Sequence, residues 1–76
     1  MLELFSSAAC PFCAELRERL EWDGADYVEY DVNADDGARE RLARLVGPQT
    51  MVPVLVEDGQ VKEVGWHGRG CAVGLV

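Results

Sequence analysis

The chain has 76 residues, of which 49% are hydrophobic and 28% are charged, a composition typical of a globular protein. This length predicts one domain over residues 1–76, with a small core, because such a chain buries only about 60% of its unfolded surface. Seven basic residues against fourteen acidic ones give a net charge of −7. That balance argues against nucleic acid or an anionic membrane as a partner, because both bind clustered lysine and arginine.

No stretch approaches the roughly 18 apolar residues of a membrane span. The apolar run at residues 1–5 has neither the basic flank nor the length of a signal peptide. We therefore expect a cytoplasmic protein, and we expect it to be a monomer. Three cysteines are present, so at least one is unpaired in any intramolecular scheme.

The N-terminal half predicts a strand, a helix and a second strand. Residues 1–5 have the alternation of a strand, and an amphipathic helical pattern runs from Pro11 to about residue 21. Residues 27–32 alternate again and are rich in β-branched and aromatic side chains. Two strands joined by a helix predict a parallel pair.

The motif Cys10-Pro11-Phe12-Cys13 stands where the first strand gives way to the helix. Proline suits the first helical position, which makes Cys10 the N-cap. Free amides and the positive end of the helix dipole favour the thiolate form of a cysteine there. Cys13, one turn inside the helix, should be more buried. The two thiols can close and reopen a small disulfide, so we predict Cys10 as the nucleophile and Cys13 as the resolving thiol.

A metal-binding module is the alternative of another class. The set Cys10, Cys13, His67 and Cys71 has plausible C-x₂-C and H-x₃-C spacings for zinc, and an iron-sulfur cluster held through Cys10 is the related option. The interval between Cys13 and His67 far exceeds that of a zinc finger. We therefore predict no bound metal.

The C-terminal half predicts a second helix followed by a hairpin. Ala38, Leu42 and Leu45 keep the register of a helix face, and Asn33, Asp35 or Asp36 caps its start. Residues 52–56 are apolar throughout, which indicates a strand covered on both faces. A tight turn at residues 58–59 leads into a further strand over residues 61–64. The predicted order is β-α-β-α-β-β.

Two features of this half depart from regular structure. Proline is disfavoured in a strand interior, so Pro53 belongs at the very start of its strand or in a special bond. The segment 65–71 is glycine-rich and should be irregular. Trp66 within it is either a core plug or an exposed platform, and a histidine such as His67 is more often a surface residue than a ligand.

These motifs resemble those of the glutaredoxin family, in the thioredoxin-fold superfamily. Cys10-Pro11-Phe12-Cys13 resembles the family's C-P-[YF]-C, and Thr50-Met51-Val52-Pro53 resembles its T-V-P. Gly65 takes the place of the first glycine in the family's G-G turn. The resemblance covers about residues 1–70 and implies a thioredoxin-like α/β fold with a four-stranded mixed sheet and a truncated C-terminal helix.

The resemblance also implies an activity, the reduction of protein disulfides or glutathione mixed disulfides. It implies that Cys10 attacks disulfides, that Pro53 is cis and faces the Cys10 sulfur, and that the Val52 backbone pairs with glutathione as a short strand edge. Glutathione or another thiol would be a co-substrate, with no bound cofactor. The implied substrate-binding residues are Pro11, Phe12, Thr50, Met51, Val52, Pro53, Gly65, Trp66 and His67.

The sequence departs from this family's pattern at several points. Many members carry lysine three residues before the first cysteine, where this chain has Ser7, and Trp66 replaces the second glycine of G-G. The segment from Trp66 to Arg69 is similar to the W-S-G-F-R of NrdH-type redoxins, which are reduced by thioredoxin reductase. The chain also resembles a small bacterial glutaredoxin-like group with cysteine or selenocysteine at the first active-site position. The reductant therefore stays open between glutathione and thioredoxin reductase.

Overall fold

Six strands and two helices succeed one another in the computed structural model of the chain, which describes residues 1–75. They are β1 (Leu2–Ser6), α1 (Pro11–Trp22), β2 (Tyr27–Asp31), α2 (Asp36–Val46), β3 (Gln49–Val52), β4 (Val54–Glu57), β5 (Gln60–Val64) and β6 (Cys71–Gly74). Neither helix in this part of the chain is long and apolar enough to cross a membrane.

The central sheet is four-stranded and mixed, in the order β2-β1-β4-β5. β1 pairs in parallel with β2, as the strand–helix–strand pattern predicts, and antiparallel with β4. β4 and β5 form the predicted hairpin, whose turn places Asp58 and Gly59 at positive φ. The predicted α/β architecture with a four-stranded mixed sheet is thus confirmed.

Side chains from alternate positions of the sheet pack on opposite faces, as the pleat requires. On one face, Leu4 and Leu55 pack with Leu16 and Leu20 of α1. On the other, Phe5 of β1 belongs to a larger cluster that holds α2 against the sheet. The buried members of that cluster are Phe5, Cys10, Cys13, Val32, Ala38, Leu42, Val52, Val54, Val56 and Leu75.

The segment around Pro53 differs from the prediction. A single strand beginning near Val52 was expected, whereas the structure has two strands, β3 and β4, with Pro53 between them. Proline has no amide hydrogen to donate to a ladder, and this proline contributes its carbonyl, which accepts from the Gly65 amide at 2.7 Å. The break separates β3 from the four-stranded sheet and leaves it to pair elsewhere.

The C-terminal segment is the second difference, because a strand stands where a truncated helix was expected. β6 pairs antiparallel with β3 in a separate two-stranded sheet. The pairing satisfies backbone groups of both strands. Leu75 follows β6, buries its side chain in the core and donates its amide to the Pro48 carbonyl at 2.7 Å. The tail is therefore fastened to the core at residues 71–75.

A buried carboxylate links the first strand to α2. Arg41 donates from both terminal nitrogens to the carboxylate of Glu3, at 2.8 and 3.0 Å, and the Tyr30 hydroxyl donates to the same group at 2.9 Å. Glu3 is only 8% exposed. The hydrogen bonds from Arg41, and to a lesser degree that from Tyr30, hold the pKa of Glu3 below its ordinary value despite its burial.

Arg41→Met is expected to lower the free energy of unfolding by about 1–3 kcal/mol near neutral pH, because the buried Glu3 carboxylate loses its charged partner. Since the folded pKa is depressed, this contribution is complete above the ordinary carboxyl pKa of about 4.3 and is lost as pH falls through the folded value. Urea unfolding at several pH values should show the two proteins converge in acid. Arg44→Met, on the exposed side of α2, is the control. A difference that stays constant down to the lowest pH would contradict the prediction.

Candidate active site

The loop between β1 and α1 positions the first cysteine of the motif. Cys10 is the N-cap of α1, in extended backbone conformation, with Pro11 as the first helical residue, as predicted. Its amide donates to the Ser7 carbonyl at 3.1 Å. The Ser7 hydroxyl in turn accepts from the side-chain amide of Asn33 at 2.7 Å. The position at which many glutaredoxins have lysine thus serves here to fix the loop.

The sulfur of Cys10 is bonded to Cys71 on β6, across 61 residues of sequence, with 5.9 Å between the Cα atoms. The side chain of Cys10 is 3% exposed, and its Sγ lies 3.7 Å from the Val52 carbonyl oxygen. It makes no capping hydrogen bond to the amides of Phe12 or Cys13, because a disulfide sulfur is neutral and only a weak acceptor. The structure therefore holds an oxidised state of Cys10.

Cys13 is the free thiol among the described residues and is fully buried. Burial raises its pKa, which a hydrogen bond with the Ser7 backbone opposes only in part. Greater burial than that of Cys10 was expected for the second thiol of the motif. The C-x-x-C spacing predicts a disulfide between Cys10 and Cys13, whereas the structure pairs Cys10 with Cys71. Exchange between the two thiols of the motif stays a prediction.

The Val52–Pro53 peptide bond is cis, as the resemblance implied, and both residues are fully buried. The ladder partner of Val52 is Cys71, and Met51 and Thr50 face Ala72 and Val73. The strand that was expected to receive glutathione thus carries β6 of the same chain. The cysteine opposite Val52, Cys71, is the one bonded to Cys10.

The two-stranded sheet of β3 and β6 forms a ribbon, and two glycines near it permit close backbone approach. A Cβ on Gly70 would lie 2.7 Å from the Val52 carbonyl oxygen and 2.9 Å from the Met51 Cβ. Gly65 has φ +83°, and a Cβ there would meet the Arg69 carbonyl oxygen at 2.9 Å. Both positions therefore require glycine, Gly70 for the close approach to β3 and Gly65 for the close approach to Arg69.

The aromatic residues expected at the site gather beside the start of α1. Phe12, Trp66, His67 and Arg69 line a cleft of about 160 Å³ together with Glu15. Trp66 is half-buried and packs against the core cluster beside α1, with its ring 4.2 Å from that of His67. Trp66 therefore combines the two predicted roles, because part of its side chain packs in the core and part is accessible in the cleft.

Thr50 and Met51 lie apart from this cleft, on β3. They line a second cleft that also includes residues of β5 and β6. Of the substrate-binding positions implied by the resemblance, Phe12, Trp66 and His67 thus line the first cleft, and Thr50 and Met51 line the second. Among residues 1–75, no group of three or more His, Cys, Asp or Glu side chains could hold a metal ion, so the zinc alternative is not confirmed.

Comparison with known proteins gives the following relatives. A model of the family described as Glutaredoxin matches residues 2–62. A probable glutaredoxin of Synechocystis sp. is 34% identical over 58 residues, which are 75% of this chain and 53% of that protein. An uncharacterised glutaredoxin-like 8.6 kDa protein in the rubredoxin operon of Clostridium pasteurianum is 33% identical, over 80% of each chain. The chain spans about half the length of the first relative and most of the second.

Solved structures agree on the fold. The crystal structure of the thioredoxin-like protein BC3987 is 32% identical and superposes with a TM-score of 0.74, over 82% of this chain and 84% of that one. A buckwheat glutaredoxin in complex with glutathione gives a TM-score of 0.68 at 24% identity, over 84% of this chain and 59% of that one. The four-stranded sheet, its two helices and the cysteine motif at the start of α1 agree with the family match over residues 2–62, and this chain belongs to the glutaredoxin family.

Proposed function

We propose that the chain is a dithiol thiol–disulfide oxidoreductase that reduces protein disulfides or glutathione mixed disulfides. The observation that carries the proposal is the Cys10–Cys71 disulfide, in which a cysteine of an extended segment is joined to Cys10 while its backbone pairs with Val52. A substrate cysteine in extended conformation would need the same two contacts. Strand addition of this kind is a general mode of peptide recognition.

Cys10 is the attacking group in this mechanism. Its place at the N-terminus of α1 stabilises a thiolate through the helix dipole. The thiolate attacks one sulfur of the substrate disulfide, and the other sulfur leaves as a thiolate. Cys13, as a thiolate, then attacks the Cys10 sulfur, releasing the substrate and leaving the protein oxidised by two electrons. Two reducing equivalents from an external thiol restore the dithiol.

The remaining site residues bind rather than react. The Val52 backbone beside the cis Pro53 pairs with the substrate backbone, and the aromatic cleft beside α1 contacts its side chains. Since β6 holds the Val52 edge in the oxidised protein, a substrate reaches Val52 only after Cys71 has moved aside. The proposed substrate-binding set is Pro11, Phe12, Thr50, Met51, Val52, Pro53, Gly65, Trp66 and His67.

The reductant is proposed to be glutathione or another low-molecular-weight thiol, acting as co-substrate with no bound cofactor. The buckwheat relative is solved with glutathione, and the C-P-F-C motif is of the glutaredoxin form. One observation favours thioredoxin reductase as a second candidate. Trp66 and Arg69 together line the cleft beside Phe12, and an aromatic side chain next to an arginine is the typical centre of a protein–protein contact.

Reduction of the oxidised protein by glutathione with glutathione reductase, set beside reduction by thioredoxin reductase with NADPH, decides between the two reductants. We expect turnover with glutathione, and both reductions are also measured in Trp66→Ala. The control is Trp22→Ala, because Trp22 is 86% exposed near the end of α1. Turnover only with thioredoxin reductase, lost in Trp66→Ala and kept in Trp22→Ala, would assign the chain to the reductase-dependent redoxins instead.

The partners that follow are disulfide-containing or glutathionylated proteins, with no nucleic acid and no membrane. Dithiol exchange of this kind suits the cytoplasm, where thiols are kept reduced. The proposed active form is a monomer, because each step uses thiols of one chain.

A further inference from the structure

Cys71 occupies a position that the C-x-x-C mechanism does not use. It opens β6, directly opposite Val52, and its sulfur is bonded to that of Cys10. Three further ladder pairs follow it along the ribbon, and the buried Leu75 fastens the end of the segment. These contacts do not depend on the disulfide. The reduced tail should therefore stay anchored at Leu75 and keep the Cys71 thiol near Cys10, even when the start of β6 lifts to admit a substrate.

The two thiols that can form a disulfide with Cys10 differ in solvent exposure. Cys13 is fully buried, and burial raises its pKa, which lowers its thiolate fraction at neutral pH. Cys71 is partly exposed and lies on the strand next to Val52. A thiol held within reach of its target reacts at a high effective concentration.

We propose that Cys71 is a third catalytic thiol, which resolves the mixed disulfide on Cys10 and leaves the protein in the Cys10–Cys71 form. The proposal rests on the role of Cys10 as nucleophile. The Cys71 thiolate attacks the Cys10 sulfur, the Cys10–Cys71 bond forms, and the bond to the substrate breaks. The substrate sulfur leaves as a thiolate and takes up the proton that Cys71 released.

The pairing of β6 with β3 couples this step to product release. Because Cys71 and an extended substrate need the same edge of Val52, the return of β6 to that edge displaces the substrate backbone as its sulfur is expelled. Cys13, the resolving thiol of the proposed function, is the slower of the two at that step and has a further, later role in this scheme. Its thiolate attacks Cys10, forms the Cys10–Cys13 bond and frees Cys71 with no net change in oxidation, so that the start of β6 is no longer bonded to Cys10 and can lift from the edge.

The test uses Ellman's reagent, which leaves a thionitrobenzoate group on Cys10 as a mixed disulfide and releases it as the yellow thionitrobenzoate anion when a second thiol attacks. We expect Cys13→Ser to release this group rapidly, at a rate independent of protein concentration, and Cys13→Ser/Cys71→Ser to retain it. Cys71→Ser should release it about tenfold more slowly than the wild type, because only the buried thiol remains. A Cys13→Ser variant that retains the group as the double variant does would overturn the proposal.

The first labelling step separates this outcome from a failure of the proposed function. In the double variant Cys10 is the remaining thiol, so its rate of labelling measures the nucleophile alone. Labelling of the double variant no faster than that of an ordinary thiol would contradict the role of Cys10 as the nucleophile. Fast labelling of the double variant, together with no release in Cys13→Ser, would contradict only the role of Cys71.

A matched pair of glycine substitutions, made in the Cys13→Ser background, tests whether β6 positions Cys71. Gly70→Ala would place a Cβ 2.7 Å from the Val52 carbonyl oxygen, whereas a Cβ on Gly74 meets no atom within 4 Å. We expect Gly70→Ala to slow release of thionitrobenzoate about tenfold and Gly74→Ala to leave the release rate unchanged. Equal release rates in the two variants would show that docking of β6 does not position the resolving thiol.

Discussion

Cys10→Ser is expected to abolish thiol–disulfide exchange, lowering the rate by a factor on the order of 10³ or more, because a serine hydroxyl is not ionised at neutral pH. The assay is reduction of a small disulfide and of a glutathionylated protein, each coupled to a reductase. The substitution removes one buried sulfur at the N-cap and should leave the fold intact, since serine is a favourable N-cap residue.

The control for that result is Cys13→Ser. If Cys10 is the nucleophile, this variant keeps a reaction with glutathionylated substrates that needs only one thiol. Residual exchange in Cys10→Ser equal to that of the wild type would show that another group carries the reaction. Loss of activity in Cys13→Ser with full activity in Cys10→Ser would reverse the assigned roles.

Phe5→Ala is expected to lower the free energy of unfolding by about 3–5 kcal/mol, the usual cost of removing a buried aromatic ring. Phe5 is fully buried in β1. Its ring centroid lies 5.1 Å from that of Tyr30, and the guanidinium of Arg41 lies 5.5 Å from it. Proteins have a total stability of about 5–15 kcal/mol, so the loss is a large share of it. Exchange activity should fall with it, because β1 leads directly into the loop that holds Cys10.

Urea unfolding followed by circular dichroism measures this effect. Val64→Ala is the control, because Val64 is 44% exposed on β5 and its truncation should cost no more than about 0.5 kcal/mol. A loss for Phe5→Ala as small as that for Val64→Ala would mean that the cluster around β1 does not hold the sheet and α2 together.

Local patterns were sufficient for the elements that form the central sheet and both helices. Alternation identified β1 and β2, and helical periodicity identified α1 and α2. Of the three residues considered as the cap of α2, Asp35 is the one whose carboxylate accepts from the Ala38 amide, at 3.0 Å. Proline after Cys10 fixed the start of α1. These features depend on residues close in sequence, so the sequence alone could predict them.

The ribbon of β3 and β6 could not be predicted in the same way. Residues 71–75 alternate between inward and outward positions, but three of the five are Ala, Gly or Cys, so the pattern has little hydrophobic contrast. β6 is a strand because β3, some twenty residues earlier, offers a free edge after the break at Pro53. An odd third cysteine was the one available signal. The short spacing of Cys10 and Cys13 favoured a disulfide between these two residues. A pairing of Cys10 with a cysteine 61 residues away depends on the folded structure and has no local sequence pattern.

The covering of β3 also bears on self-association. An unpaired strand edge is a template on which another copy of the same chain can add a strand, and proteins often protect such edges with a further segment. β6 gives β3 this protection from within the chain, through pairs that run from Val52 to Gln49. A change that separates β6 from β3 would therefore expose a hydrogen-bonding edge beside apolar side chains. Pairing of β3 with another copy of the chain would then compete with the return of β6.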